Sequence, residues 1–211
     1  MTHTLNHDDI INAVQSKRWS IANDTLYSLC QTYPYHNDIE ATVAKLWIIG
    51  RTYNAQIERR KTSDKQKQQD RDNGGIYHVV ATALQQSNFD QYLEPLAHLS
   101  DVNTDNFIQI LSVHDQFMQL MMPHVEQRNT SFASKYLHFH YPHLFFILDK
   151  TAEQALKQYD IDYTDTDYSE SHDIRYRRFC NRTLALRKKI EDSFNISMTL
   201  RALDNLLLRA W

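Results

Sequence analysis

Three observations predict an all-α fold for this chain, with residues 1–211 forming one domain, either a multi-helix bundle or two helical lobes around a cleft. There are only 3 glycines and 4 prolines in 211 residues, against an ordinary combined share of about 12%. Turn-rich β architectures need glycine wherever φ is positive, so they are disfavoured. Apolar residues recur at steps of three and four along nearly every segment, which is helical periodicity. The hydrophobic share of 42%, with 12 Tyr, 9 Phe and 3 Trp, is that of a chain with a core.

In chain order, short helices are expected over Asp8–Ser16 and Ser20–Thr32, the second ending before Pro34. A long amphipathic helix is expected from Asn37 to Arg60. Asn37 or Asp38 caps it, and Ile39, Val43, Leu46, Trp47, Gly50, Tyr53 and Ile57 form its apolar stripe. Gly50 inside this helix costs about 1 kcal/mol against alanine and signals a close helix crossing or the approach of a ligand. Thr62–Asn73 lacks any apolar residue and reads as a loop or a frayed helix end before Gly74 and Gly75. Helices follow at Ile76–Gln86 and at Phe89–Leu99, the latter started before Pro95 or kinked by it.

Asn103 or Thr104 caps the next helix, whose stripe from Phe107 to Met121 is stopped by Pro123. Thr130–His140 reads as helix, Leu144–Leu148 as a short strand or buried extended segment, and Thr151–Tyr159 as helix again. Asp160–Asp173 carries six acidic residues without Lys or Arg and reads as a solvated loop. Ile174–Phe194 and Ser197–Trp211 complete the helices.

Composition removes several function classes. No GxGxxG or GxxxxGK[ST] run exists, so the ordinary nucleotide-binding loops are absent. Cys30 and Cys180 stand alone, with neither a CxxC pair nor a disulfide framework, and are expected to be reduced in a cytoplasmic protein. No apolar run reaches the roughly 18 residues of a membrane span. The opening residues have no basic or apolar leader pattern. No cofactor is expected. The net charge of −3 leaves nucleic-acid binding to local patches.

The densest chemical constellation is SFASKYLHFHYPHLFFILDKTAEQAL, residues 131–156. Lys135 falls in the second turn of a helix, and Asp149 falls where an apolar run opens the next one. There it is a helix cap, within reach of the partial positive charge of that helix start. A lysine and an aspartate delivered to one apolar wall make a candidate amine nucleophile with a charged partner; an exposed lysine and a plain cap are the structural alternative.

An S-K pair on a helix, a proline turn, an apolar segment and an aspartate opening a helix together resemble the active-site region of helix-hairpin-helix DNA glycosylases. The nearest type is the bacterial 8-oxoguanine glycosylase-fold group. The resemblance implies that Lys135 attacks the sugar carbon of a flipped, damaged or modified nucleotide, that Asp149 supports the charge developing on the sugar, and that DNA is the partner. With it go Trp47, Tyr53 and Phe132 as pocket aromatics. Arg51, next to Trp47 on the helical wheel, either floors the pocket, pairs with a carboxylate such as Asp149, or lies on a solvated face.

Two further patterns invite function. His138, His140 and His143 form H-x-H-x-x-H, either a metal site that would make the protein a hydrolase or three histidines satisfied near a helix end. Arg175, Arg178 and Arg182 form a basic stripe at steps of three and four. It suits phosphate contact unless the acidic 160–173 run folds back on it. A second basic stretch spans Arg59–Arg71. The rival to an enzyme is a non-catalytic helical binding or regulatory protein, possibly of a mobile or defence locus. It is favoured by the acidic net charge and by the absence of any glycine after Gly75.

Overall fold

Tyr53 shows how tertiary contacts decide where these helices stop. Continued helically, its carbonyl would accept the N–H of residue 57. Instead it accepts the Lys135 ammonium at 3.0 Å, and Ala55 and Ile57 are non-helical. The long helix expected to reach Arg60 therefore ends at Thr52.

The computed structural model describes residues 4–53, 55, 57, 74–125, 129–163 and 173–209. Among them are ten α-helices and no strand: α1 His7–Gln15, α2 Ser20–Thr32, α3 Ile39–Thr52, α4 Ile76–Gln86, α5 Asp90–Leu93, α6 Phe107–Met121, α7 Thr130–His140, α8 Lys150–Leu156, α9 Ile174–Phe194 and α10 Leu200–Leu208. The Thr62–Asn73 and Arg59–Arg71 stretches lie outside the described residues, as does most of the acidic 160–173 run. Among those described, no helix is long and apolar enough to cross a membrane.

Caps set most of the helix starts. Asn6, Asp38, Asp149, Asp173 and Thr199 each accept a backbone N–H of the first turn, satisfying donors that the helix itself leaves unpaired. The helix expected over Phe89–Leu99 divides into α5 and a 3₁₀ turn, Glu94–His98, because Pro95 lacks the N–H needed to continue an α-helix. The last helix begins only at Leu200, where Thr199 supplies the cap. Leu144–Leu148 is buried and forms no strand.

At the centre stands α7, buried on nearly every side and packed against α2, α3 and α6. Around it, α3 packs on α4, α1 on α10, and α8 on both α9 and α10. Phe117, Phe132 and Tyr136 stack in the core, each fully buried ring contributing on the order of 1.5–3 kcal/mol.

Gly50 marks a close crossing, and the neighbour is the Tyr77 ring of α4. A β-carbon at Gly50 would approach Tyr77 Cε1 at 2.9 Å, closer than packed atoms tolerate, and that ring is itself buried. Gly50→Ala gains about 1 kcal/mol of helix propensity but overpacks the crossing by about 1–3 kcal/mol. A net loss of about 1 kcal/mol is expected in urea denaturation; a gain in stability would show that Tyr77 yields freely.

Candidate functional site

Two adjacent residues of α7 build one wall of a cleft. The Ser134 hydroxyl accepts the Leu148 N–H at 3.0 Å and so pins the segment that ends in Asp149. Lys135, only 6% exposed, extends past this junction. Its ammonium donates to the Tyr53 carbonyl and stands 4.0 Å from Asp149 Oδ2. Asp149 divides its oxygens: Oδ1 accepts the Ala152 N–H at 2.8 Å to cap α8, and Oδ2 faces the lysine.

The opposite wall comes from α10. Arg201 and Asp204, one turn apart, pair at 2.9 Å through Nη1 and Oδ2. Arg201 Nε donates to the Tyr27 hydroxyl at 3.1 Å, and its guanidinium lies over the rings of Tyr27 and Phe139. Two buried atoms of this pair, Arg201 Nη2 and Asp204 Oδ1, have no hydrogen-bond partner among the described residues. Orphaned buried polar atoms are uncommon in folded proteins and costly to keep.

The cleft has a volume of about 320 Å³, and Trp19, Asn23, Tyr53 and Ile147 line it together with Lys135, Asp149, Arg201 and Asp204. That volume is at the lower end for small-molecule sites. Burial pulls the Lys135 amine below its ordinary value, opposed by the charges of Asp149 and Asp204. Burial also pushes the Asp204 carboxyl up to about 6; the Asp149 charge adds to this, while Arg201 and Lys135 oppose it. Burial thus acts in opposite directions on the amine and on the Asp204 carboxyl that line the same cleft, in each case against the charged form.

Lys135, Asp149 and Tyr53 thus meet in one cleft, but the other expected pocket residues do not join them. Trp47 is 52% exposed and lies outside it. Arg51, also exposed and outside, shares that outer face because residues four apart on a helix point the same way. Leu46, Ile49 and Gly50 take the inner face. Phe132 is a core ring against Phe117 and Tyr136.

The three histidines do not converge. His138 engages the Phe145 carbonyl and the Tyr27 hydroxyl, His140 the Tyr136 carbonyl and Lys45, and His143 the Leu99 carbonyl. Among the described residues no group of three His, Cys, Asp or Glu side chains is placed to hold a metal ion. Arg175, Arg178 and Arg182 do share one groove of about 440 Å³ on α9, with Lys157 and Tyr163. Glu153 pairs with Arg175 there at 2.8 Å, and Arg182 donates to the Tyr159 carbonyl.

Arg201, Asp204, Asn23 and Trp19 escaped sequence reasoning. A signal for two of them exists in LRALDNLLL, where an R-x-x-D pair sits within an otherwise largely apolar helix. Asn23 and Trp19 carry no comparable sign. Comparison of the chain with protein-family models, curated proteins and solved structures yields no match.

The shift of Asp204 has a definite linkage sign. Its folded value is above its ordinary value of 3.8, so the folded chain holds this proton more tightly. The corresponding stabilisation is complete below about pH 4 and is lost as pH rises through about 6. Carboxyl ¹³C NMR should show a titration with a midpoint near 6 that disappears in Asp204→Asn. A midpoint for Asp204 in the ordinary range near 3.8 would contradict the assignment.

Proposed function

We propose that the protein acts on DNA in the manner of a glycosylase, with Lys135 as the amine nucleophile and Asp149 as its supporting carboxylate. The observation that carries this reading is the buried Lys135 amine held 4.0 Å from Asp149 in a cleft open to a ligand. Desolvation is one way in which nucleophilic lysines are activated, and burial acts on Lys135 in that sense, against the charges of Asp149 and Asp204.

In the proposed reaction a modified nucleotide is turned out of the duplex into the cleft. The neutral Lys135 amine attacks C1′ of the sugar, a C–N bond forms to the lysine, and the glycosidic C–N bond to the base breaks with its electron pair leaving on the base. The amine's proton passes to the departing base. Asp149 stabilises the cationic sugar as the base departs. Opening of the sugar ring then converts the lysine adduct to a protonated imine, which water hydrolyses. The groove bearing Arg175, Arg178 and Arg182 supports the same reading as a place for backbone phosphates.

One observation favours a second reading. With no glycine after Gly75, the chain beyond that point offers no glycine turn whose amides could approach a phosphate. The same cleft would then bind a ligand without chemistry.

Borohydride reduction separates the two, because it converts an imine to a stable amine. Duplexes carrying 8-oxoguanine, uracil or an abasic site are expected to yield a covalent adduct with the native protein and none with Lys135→Ala. Asp149→Asn is expected to slow adduct formation by about 100-fold. No adduct with the native chain, or one that survives in Lys135→Ala, removes the catalytic reading and leaves the binding one.

A further inference from the structure

We propose that the Arg201–Asp204 pair reads the edge of a planar heterocycle bearing an acceptor next to a hydrogen-bond donor, and that Trp19 stacks on its ring at the mouth of the cleft. This rests on the proposed function only in placing the ligand beside Lys135; it requires no covalent step.

The pair is arranged for such an edge. Nη1 and Oδ2 satisfy each other at 2.9 Å, Nε is held by Tyr27, and the two atoms left over are one donor, Nη2, and one acceptor, Oδ1. They belong to two residues one turn apart that line the same cleft. Both atoms are covered from solvent, so their orphaned state is costly, and a ligand in the cleft meets them once the side chains covering them give way. A lactam edge, with C=O beside N–H, supplies the acceptor that Nη2 lacks and the donor that Oδ1 lacks. An amidine edge supplies the same two functions. Nucleobases carry edges of both kinds.

Trp19 gives the second, independent observation. Its backbone is left-handed, with φ at 62°, a conformation that costs a bulky L-residue about 1–3 kcal/mol. The ring recovers little by burial, being 65% exposed, and Trp19 makes no side-chain cap bond to α2. A strained, exposed indole lining a cleft that also holds a donor–acceptor pair is a stacking surface for a flat ring. Arg18 stands beside it in the lining.

Binding of 2′-deoxyguanosine and thymidine, each against its edge-blocked analogue (N1-methyl-2′-deoxyguanosine, N3-methylthymidine), tests the proposal through the Trp19 indole resonance in NMR titration. The parent nucleosides are expected to shift that resonance saturably, and each methylated analogue to bind at least about tenfold more weakly. Asp204→Asn is expected to erase most of this discrimination. Because that substitution also touches a buried ion pair, Trp19→Gly provides a second variant: it keeps the left-handed turn, relieves its strain and should fold at least as stably. Followed by calorimetry, it should bind the parent nucleosides at least tenfold more weakly. Equal affinity for parent and methylated nucleosides, or unchanged affinity in Trp19→Gly, overturns the proposal. Edge discrimination without a borohydride adduct would remove the excision chemistry and leave this inference intact, whereas an adduct without edge discrimination would do the reverse.

Discussion

The constraint on which the rest of the structure depends is that α7 has almost no solvent face and yet carries polar side chains along its whole length. A helix buried on all sides is ordinarily apolar all round, and each polar group in it must find a partner or cost free energy. Here the surrounding helices and loops supply the partners. Ser134 holds the backbone of Leu148, Lys135 reaches the end of α3, His138 meets Tyr27 of α2, and His140 meets Lys45 of α3. Tyr136 bonds His36 at 2.8 Å, and His36 in turn is held by Asp90. The surrounding elements are located by these bonds as much as by apolar contact. The bond of Lys135 opens to the cleft lined by Asp149, Arg201 and Asp204.

The electrostatics follow from that burial. Lys45 is fully buried, with the carbonyls of Tyr33 and Tyr35 as well as His140 for acceptors, so its positive charge is solvated by oriented dipoles without an adjacent carboxylate. Burial foremost, and the Lys45 charge after it, drives His140 well below its ordinary value. Carboxylates act on both lysines from a distance, but Lys135 differs in standing 4.0 Å from one of them, Asp149, at the edge of a cleft. Two buried lysines on adjoining helices thus have different work: one closes the core, the other borders a cleft.

The fold class and most helix positions were legible in the sequence because periodicity and caps are local. Ser20–Thr32, Ile76–Gln86, Thr130–His140 and Ile174–Phe194 occupy the spans that their apolar spacing predicts. The errors arose where a distant group intervened. α3 stops early because Lys135, 82 residues on, takes the carbonyl of Tyr53. The juxtaposition of Lys135 with Asp149 was legible because both lie within one short segment. Trp47 lies outside the cleft because the wheel of a helix gives a face but not the direction that face takes, and Arg51 lies on the solvated face that one of its readings allowed. Arg201 and Asp204 were missed because only folding brings the last described helix against α1 and α8, and no local pattern encodes that closure.

The orientation of Arg201 can be traced back to the same central helix. His138 Nδ1–H donates to the Phe145 carbonyl at 2.7 Å, which leaves Nε2 as an acceptor and keeps the ring neutral, in line with the strong downward shift that burial imposes on it. The Tyr27 hydroxyl must then give its proton to Nε2, at 2.8 Å, and its oxygen is left to accept from Arg201 Nε at 3.1 Å. Each donor is spent in one direction along this chain, so Arg201 cannot turn Nε toward Asp204 without taking from the Tyr27 oxygen the donor it accepts from. Nη1 is taken by Asp204, and Nη2 is what remains. The free donor of the cleft is therefore a consequence of how a buried histidine on α7 satisfies its two nitrogens. Replacing that histidine by an apolar residue would release Tyr27, loosen Arg201 and disturb the cleft from a residue that does not line it.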